Sequence, residues 1–267
     1  MKAQEKLVNS SMQQAAAHWL EGGRLISGLP QDAFPFLGER GHVVSLVGGG
    51  GKTTLMYHLA QVAQARGLRT AVMTTTKMGR PGLYCRTMAA CRDCWAAGEY
   101  AVCGERLNER KLVAPAPEFL AQLLAQADAL FIEADGARRL PCKAPAAHEP
   151  VILPETDTVI AVMGLDALGQ PVGEICLRAP IVQALLGCGA EHRLTGADMA
   201  ALLLSDKGSR KGVGQRDFYV VLNKCDDAQR LHAGREILEL LRAQGQTRAV
   251  LTAGMRRSET YEQTEEV

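Results

Sequence analysis

Short apolar runs recur along the chain at His42–Val47, Arg69–Thr74, Ala129–Glu133, Thr158–Met163, Phe218–Leu222 and Arg248–Thr252, with helical patterns between them. Buried strands read this way, and their alternation with helices predicts βαβ units around a mostly parallel sheet. Between the first two runs, Leu55, Leu59 and Val62 repeat at helical spacing before Gly67 closes the segment. Pro117 opens a second helix that leads into Ala129–Glu133, and Gly234–Gln244 forms a third that feeds the last strand. Two stretches break the rhythm. Residues 78–114 carry half of the cysteines and little periodicity, which predicts an insertion after the second strand. Residues 205–216 are rich in Gly, Lys and Arg and predict a mobile loop. The expected organisation is an N-terminal helical extension over 1–40, an α/β domain over 41–255 and a disordered tail over 256–267.

Composition narrows the function classes. The 267 residues are 47% hydrophobic and 22% charged, ordinary values for a globular protein. Lys and Arg number 30 against 29 Asp and Glu, so no bulk field favours nucleic acid or an anionic membrane. No apolar stretch approaches the ~20 residues of a membrane helix, and the first residues lack the apolar centre of a signal peptide. A cytoplasmic address is expected, with the eight cysteines as reduced thiols or metal ligands.

The run VVSLVGGGGKTT places a strand, a glycine turn and Lys-Thr-Thr at the start of a helix. Gly48, Gly49, Gly50 and Gly51 let backbone N–H groups curl round a polyphosphate, and the helix N-terminus adds partial positive charge there. This is the order of a phosphate loop. Lys52 is expected to reach the β- and γ-phosphates, the Thr53 hydroxyl to help hold Mg²⁺, and Thr54 to complete the first turn. The loop is shorter than the usual G-x-x-x-x-G-K-[ST], because Leu46 stands where the first Gly would be. The alternative is a plain glycine turn. The predicted fold class is therefore α/β and P-loop NTPase-like, with helices flanking the sheet and a Cys-rich insertion.

ALFIEADG ends an apolar strand in two acids. Asp135 is assigned to the metal and Glu133 to orienting an attacking water, with exchange of the two roles open. Thr75, Thr76 and Lys77 close the neighbouring strand at the edge where open α/β sheets bind ligands. FYVVLNKCD ends a later strand in Asn223-Lys224-x-Asp226, the N/T-K-x-D element with which many GTPases read guanine. An Asp can accept from both N1–H and the exocyclic amine of guanine, a donor pair adenine lacks. GTP is therefore favoured over ATP. Cys85, Cys91, Cys94 and Cys103 are spaced C-x₅-C-x₂-C-x₈-C, which suits Zn²⁺ or an Fe–S cluster, with free thiols as the alternative.

These motifs together resemble the YqeC family, accessory proteins of selenium-dependent molybdenum hydroxylases. The resemblance runs from about residue 40 to 225 and rests on VVSLVGGGGKTT, VMTTTKM, FIEADGARRLPCKAPAAHEPVILP, GLDALG and LNKCD. It implies a P-loop fold and a role in maturing or loading a molybdenum–selenium enzyme, so the expected partners are a nucleotide and that client. Leu177-Arg178-Ala179-Pro180 departs from a His-Arg-Pro-Glu-like element, and the cysteines do not carry over from the family. FIEADG is also similar to the corresponding strand of the nickel-loading GTPases HypB and UreG. In the loop after it, Arg138, Arg139 and Lys143 could clamp the γ-phosphate or a second anion, and His148 could move a proton. Three functions follow. The first is a slow Mg²⁺-dependent NTPase serving maturation, slow because no arginine finger is identifiable. The second is an ATP-dependent transferase or ligase. The third is a non-enzymatic metal or selenium carrier that uses the cysteines.

Overall fold

The computed structural model describes residues 16–254. Its central strands are β3 (His42–Gly48), β4 (Thr70–Thr74), β9 (Ala129–Glu133), β11 (Thr158–Gly164), β13 (Asp217–Asn223) and β14 (Ala249–Ala253). All six expected runs are therefore strands. The hairpin β1 (Ala16–Glu21) and β2 (Arg24–Gly28) lies at one edge and β6 (Ala101–Val102) at the other. Among the described residues these nine strands form one sheet, in the order β2-β1-β14-β13-β11-β3-β9-β4-β6. Every pairing from β14 to β6 is parallel, and only the β1 pairings are antiparallel. The remaining short strands are β5 (Lys77–Gly79), β7 (Glu105–Arg106) and β8 (Lys111–Val113), which pair together, and β10 (Cys142–Lys143) with β12 (Cys176–Leu177).

Helices cover both faces. They are α1 (Lys52–Ala65), α2 (Met88–Ala96), α3 (Pro117–Gln126), α4 (Val172–Ile175), α5 (Ala179–Leu186), α6 (Gly196–Leu204) and α7 (Ala228–Ala243). Strands β9 and β11 are buried along their whole length, as expected for a parallel sheet sandwiched by helices. On one face Leu55, Leu59 and Val62 of α1 pack with Leu46, Phe131 and Val162. On the other, Met199 and Leu203 of α6 and Ile237 and Leu241 of α7 pack with Val159, Met163 and Val220.

From β3 the chain crosses to β4 on one side of the sheet, and after β9 it returns to β11, β13 and β14 on the other. The direction of winding reverses at β3. Crevices at such reversals, outside the carboxyl ends of the strands, are where open α/β sheets hold ligands. Gly48, Thr74, Glu133, Gly164 and Asn223, each the last residue of its strand, all reach that edge.

Three expectations are corrected. The extension over 1–40 is not the expected helical piece where it is described: residues 16–28 form a β-hairpin whose β1 adds to β14, and only short 3-10 turns at Pro30–Ala33 and Pro35–Gly38 follow. Its follow-on segment buries Phe34, Phe36 and Leu37, with Phe34 and Phe36 at 5.7 and 5.5 Å ring separation from Tyr219. Aromatic burial of this size explains why the segment docks on the domain. The insertion is also more ordered than its weak periodicity implies, since it supplies α2 and the edge strand β6. Finally, residues 205–216 are tied down. Lys211 Nζ donates to the carbonyls of Ala146 (2.6 Å) and Ala147 (2.8 Å), and Arg216 Nε donates to Thr156 O at 2.9 Å. Residues 1–15 and the expected tail 256–267 lie outside the described residues. No helix among those described is long and apolar enough to cross a membrane.

Candidate functional site

Strand β3 ends at Gly48 and α1 begins at Lys52, so the glycines make the whole connection. Gly48 has φ +97°, and a Cβ there would sit 2.2 Å from the Val162 carbonyl of the neighbouring strand. Only glycine fits. The turn is held by its own amides: Gly48 N–H donates to Asp135 Oδ2 (3.0 Å), Gly49 N–H to Val162 O (2.8 Å) and Gly50 N–H to Leu140 O (3.1 Å). Gly51, also left-handed at φ 112°, caps α1. The first-turn N–H groups of Gly51-Lys52-Thr53-Thr54 have no partner within the helix and face the sheet edge with the positive end of its dipole.

Lys52 is 3% exposed. Its Nζ donates to Gly48 O at 2.7 Å and lies 3.1 Å from Asp135 Oδ1. Burial works against the charge, but Asp135 and Glu133 outweigh it and raise the ammonium pKa above its ordinary value. Thr53 Oγ1 donates to Glu133 Oε2 at 2.6 Å, a short charge-assisted bond. Thr54 is half-buried in the same turn. The acid beside the Thr53 hydroxyl is thus Glu133, whereas Asp135 is taken up by lysines and the Gly48 amide. Thr74 and Thr75 brace this strand end: Thr74 Oγ1 donates to Glu133 O at 2.8 Å and Thr75 Oγ1 to Val151 O at 2.7 Å. Lys77 is exposed on β5.

Behind Asp135 lies a charged network that the sequence does not signal. Lys143 Nζ contacts Asp135 Oδ2 (2.9 Å), Glu149 Oε2 (2.8 Å) and Gly136 O (2.7 Å). Arg178 grips Glu149 in two-pronged fashion at 2.9 and 3.0 Å. Burial pushes the Glu149 carboxyl up, yet Lys143 and Arg178 hold it below its usual range. Lys143, expected to reach outward to phosphate, is instead turned in and fully paired. Arg138, Arg139 and His148 are on the surface, the two arginines with φ of 47° and 64°. Left-handed backbone at two successive non-glycine residues is uncommon.

Asn223 ends β13 and joins two parts of the site. Its amide donates to Gly50 O (2.9 Å) and accepts from Thr252 Oγ1 (2.9 Å). Lys224, at φ 65°, pairs with Asp166 at 2.5 Å. Asp226 accepts from Gly254 N–H at 3.1 Å, with its side chain 51% exposed and Arg230 at 3.8 Å. The N-K-x-D element therefore touches the glycine loop through Asn223, leaving Asp226 at the surface.

The four insertion cysteines come together about α2 and β6. Cys91 and Cys103 lie 3.5 Å apart at sulfur, and Cys85 and Cys94 lie 3.6 Å apart. Among the described residues no group of three or more His, Cys, Asp or Glu is laid out round a metal position, so the thiols touch one another rather than forming a ready cage. Cys142 and Cys176 face each other across β10 and β12, and Cys188 and Cys225 pack with the core.

Residues 44–180 match the family described as YqeC protein. The YqeC protein of Escherichia coli (strain K12) is 33% identical over 214 residues, which span 76% of this chain and 84% of that relative. Among solved structures, the hydrogenase maturation factor HypB from Archaeoglobus fulgidus aligns over 94% of this chain and 89% of its own, at 11% identity and a TM-score of 0.37. The matched span holds the glycine loop, both acids of the β9 edge and the Lys143–Glu149–Arg178 network, and on this evidence the chain belongs to the YqeC family.

Proposed function

We propose that this protein binds a nucleoside triphosphate with Mg²⁺ on the Gly48–Thr54 loop, turns it over slowly, and acts in maturation of a molybdenum- and selenium-dependent hydroxylase. The observation that carries the nucleotide reading is the Thr53–Glu133 pair at 2.6 Å, set beside Lys52 at the N-terminus of α1. A hydroxyl and a carboxylate are hard oxygen donors suited to Mg²⁺, and a helix N-terminus with a lysine suits phosphate. The fit favours exchanging the two acids: Glu133 with Thr53 would hold the metal, while Asp135 positions Lys52 and the glycine loop. The bound Mg²⁺ would neutralise charge on the β- and γ-phosphates. Lys52, now bonded to Gly48 O, would swing to the phosphates, so the glycine loop must open as nucleotide enters.

GTP is the preferred nucleotide in this reading. Asn223 is tied to Gly50, and Asp226 stands three residues on with its carboxylate half exposed. The client follows from the motif resemblance. Calorimetric titration of GTP and ATP into wild type and Asp226→Ala tests the base reading. A GTP preference lost in the variant supports it, and equal binding of ATP unaffected by Asp226 removes it. Product analysis tests the reaction: free phosphate without a cosubstrate supports the NTPase, whereas transfer to a small molecule replaces it with an ATP-dependent transferase or ligase.

A further inference from the structure

The geometry points to a closed four-thiolate site for one soft divalent metal ion, zinc by its ligand chemistry, formed by Cys85, Cys91, Cys94 and Cys103. Cys91 and Cys94 are three residues apart on α2 and so share one face of the helix. Cys85 and Cys103 stand opposite each other in a parallel bridge beside β6. Each close sulfur pair, Cys91–Cys103 and Cys85–Cys94, joins the helix to that bridge. The Cys85–Cys103 bridge and the shared helix face of Cys91 and Cys94 thus bring the two sulfur pairs side by side as one group.

Magnitudes decide which ion suits the group. A tetrahedral site with Zn–S arms of about 2.3 Å has S···S edges of roughly 3.8 Å. The two measured edges are 3.5 and 3.6 Å. The thiols as they stand are not splayed round a metal position, and the ion would enter by moving each sulfur outward by a few tenths of an ångström. A two-iron cluster would instead need the thiol pairs held apart to admit two irons and the bridging sulfides. Sulfur pairs only 3.5 and 3.6 Å apart leave no such room.

The pocket around the sulfurs is largely apolar, with Arg92 the cationic neighbour of Cys91. Cys85, Cys91 and Cys103 are 4%, 0% and 0% exposed, in a cluster with Met88, Phe119, Leu123 and Ile132. The backbone contact of Cys103 Sγ, to Ala101 O, is a long 3.9 Å. Four thiolates in an apolar pocket need a cation, and one divalent ion with four protein ligands completes its coordination. Such a site has no open position and little access. Its role is to lock α2 onto the sheet edge, which sets it apart from a metal carrier and leaves it independent of the nucleotide reading.

The test uses the full chain purified under reductant, without chelator, from zinc-supplied medium. Elemental analysis is expected to give about one zinc per chain, none in Cys91→Ser/Cys94→Ser, and full occupancy in Cys142→Ser. Cobalt-exchanged wild type, which does not depend on how the variant folds, is expected to show thiolate charge-transfer absorption and intense tetrahedral bands. Zinc absent from wild type, zinc retained in the double variant, iron in its place, or a weak six-coordinate cobalt spectrum overturns the proposal. So does finding Cys85–Cys94 and Cys91–Cys103 disulfides in metal-free native protein.

Discussion

Substituting Lys143 by Met tests whether the charges behind the glycine loop act as one buried network. The ammonium is 2% exposed, Asp135 2% and Glu149 8%, and Lys143 bonds both acids and the Gly136 carbonyl. Removing one member of a buried ion pair costs about 3–5 kcal/mol, because the partner charge stays buried without compensation. Here Asp135 keeps Lys52 at 3.1 Å and Glu149 keeps Arg178 at 2.9 Å, so the lower end applies. The expected loss is about 3 kcal/mol, or roughly 6–12 °C in Tm for a chain of this size. Urea unfolding of wild type and Lys143→Met reads the loss directly, with an unchanged slope showing that only stability moved. The exposed pair Arg235–Glu239, 3.0 Å apart, is the control, and Arg235→Ala should cost under about 0.5 kcal/mol. The pH dependence has a definite sign. Glu149 is held below its ordinary 4.5, so its pairing stabilises fully above that pH and is lost as pH falls through the lowered value. The deficit of Lys143→Met should therefore narrow below pH 4.5. A loss at pH 7 no larger than that of Arg235→Ala would refute the network.

Gly48→Ala should lose more than about 2 kcal/mol, since left-handed strain of roughly 1–2 kcal/mol adds to backbone displacement. The clash is with the Val162 carbonyl at 2.2 Å, while Gly67→Ala, at φ +79° in open space, should lose only about 1 kcal/mol. Equal losses in the two variants would show that the close approach to Val162 carries no weight. His58 is buried in α1 with no hydrogen-bond partner for Nε2 among the described residues, and burial lowers its pKa to about 4. The unfolded chain then takes up a proton first on acidification. Stability should fall from pH 6.5 to about 4 by up to roughly 3 kcal/mol. His58→Leu should remove that component of the pH slope, and an unchanged slope in thermal melts would contradict it.

The sheet was legible because its strands are buried on both faces and so read as continuous apolar runs; all six expected runs align in parallel. The glycine loop was legible because few other sequences place a turn, Lys and Thr between a strand and a helix. The N-terminal hairpin was not. Its burial pattern is mixed and its partner, β14, lies more than two hundred residues away in the chain. Strand character there comes from pairing, which local periodicity does not record. In the site, Glu133 and Asp135 were singled out by their place at and just past a strand end, but the role of each depends on which side chain it meets. Asp135 meets Lys143 because the loop from 136 to 143 folds back, and Glu149 meets Arg178 because β10 pairs with β12. Those contacts are tertiary, and a charge in the sequence does not say whether it points to solvent or to another charge. The cysteine spacing singled out four residues that the fold brings close together, and that closeness depends on how α2 docks beside β6.

The central claim is that the Gly48–Thr54 loop binds a nucleoside triphosphate through Lys52. Its most direct test is calorimetric titration of GTP and ATP, each with Mg²⁺, into wild type and Lys52→Ala, with far-UV circular dichroism confirming that both are folded. Saturable binding to wild type that the variant loses is the predicted result. Nucleotide affinity left intact in folded Lys52→Ala, or no binding by wild type, would contradict the account.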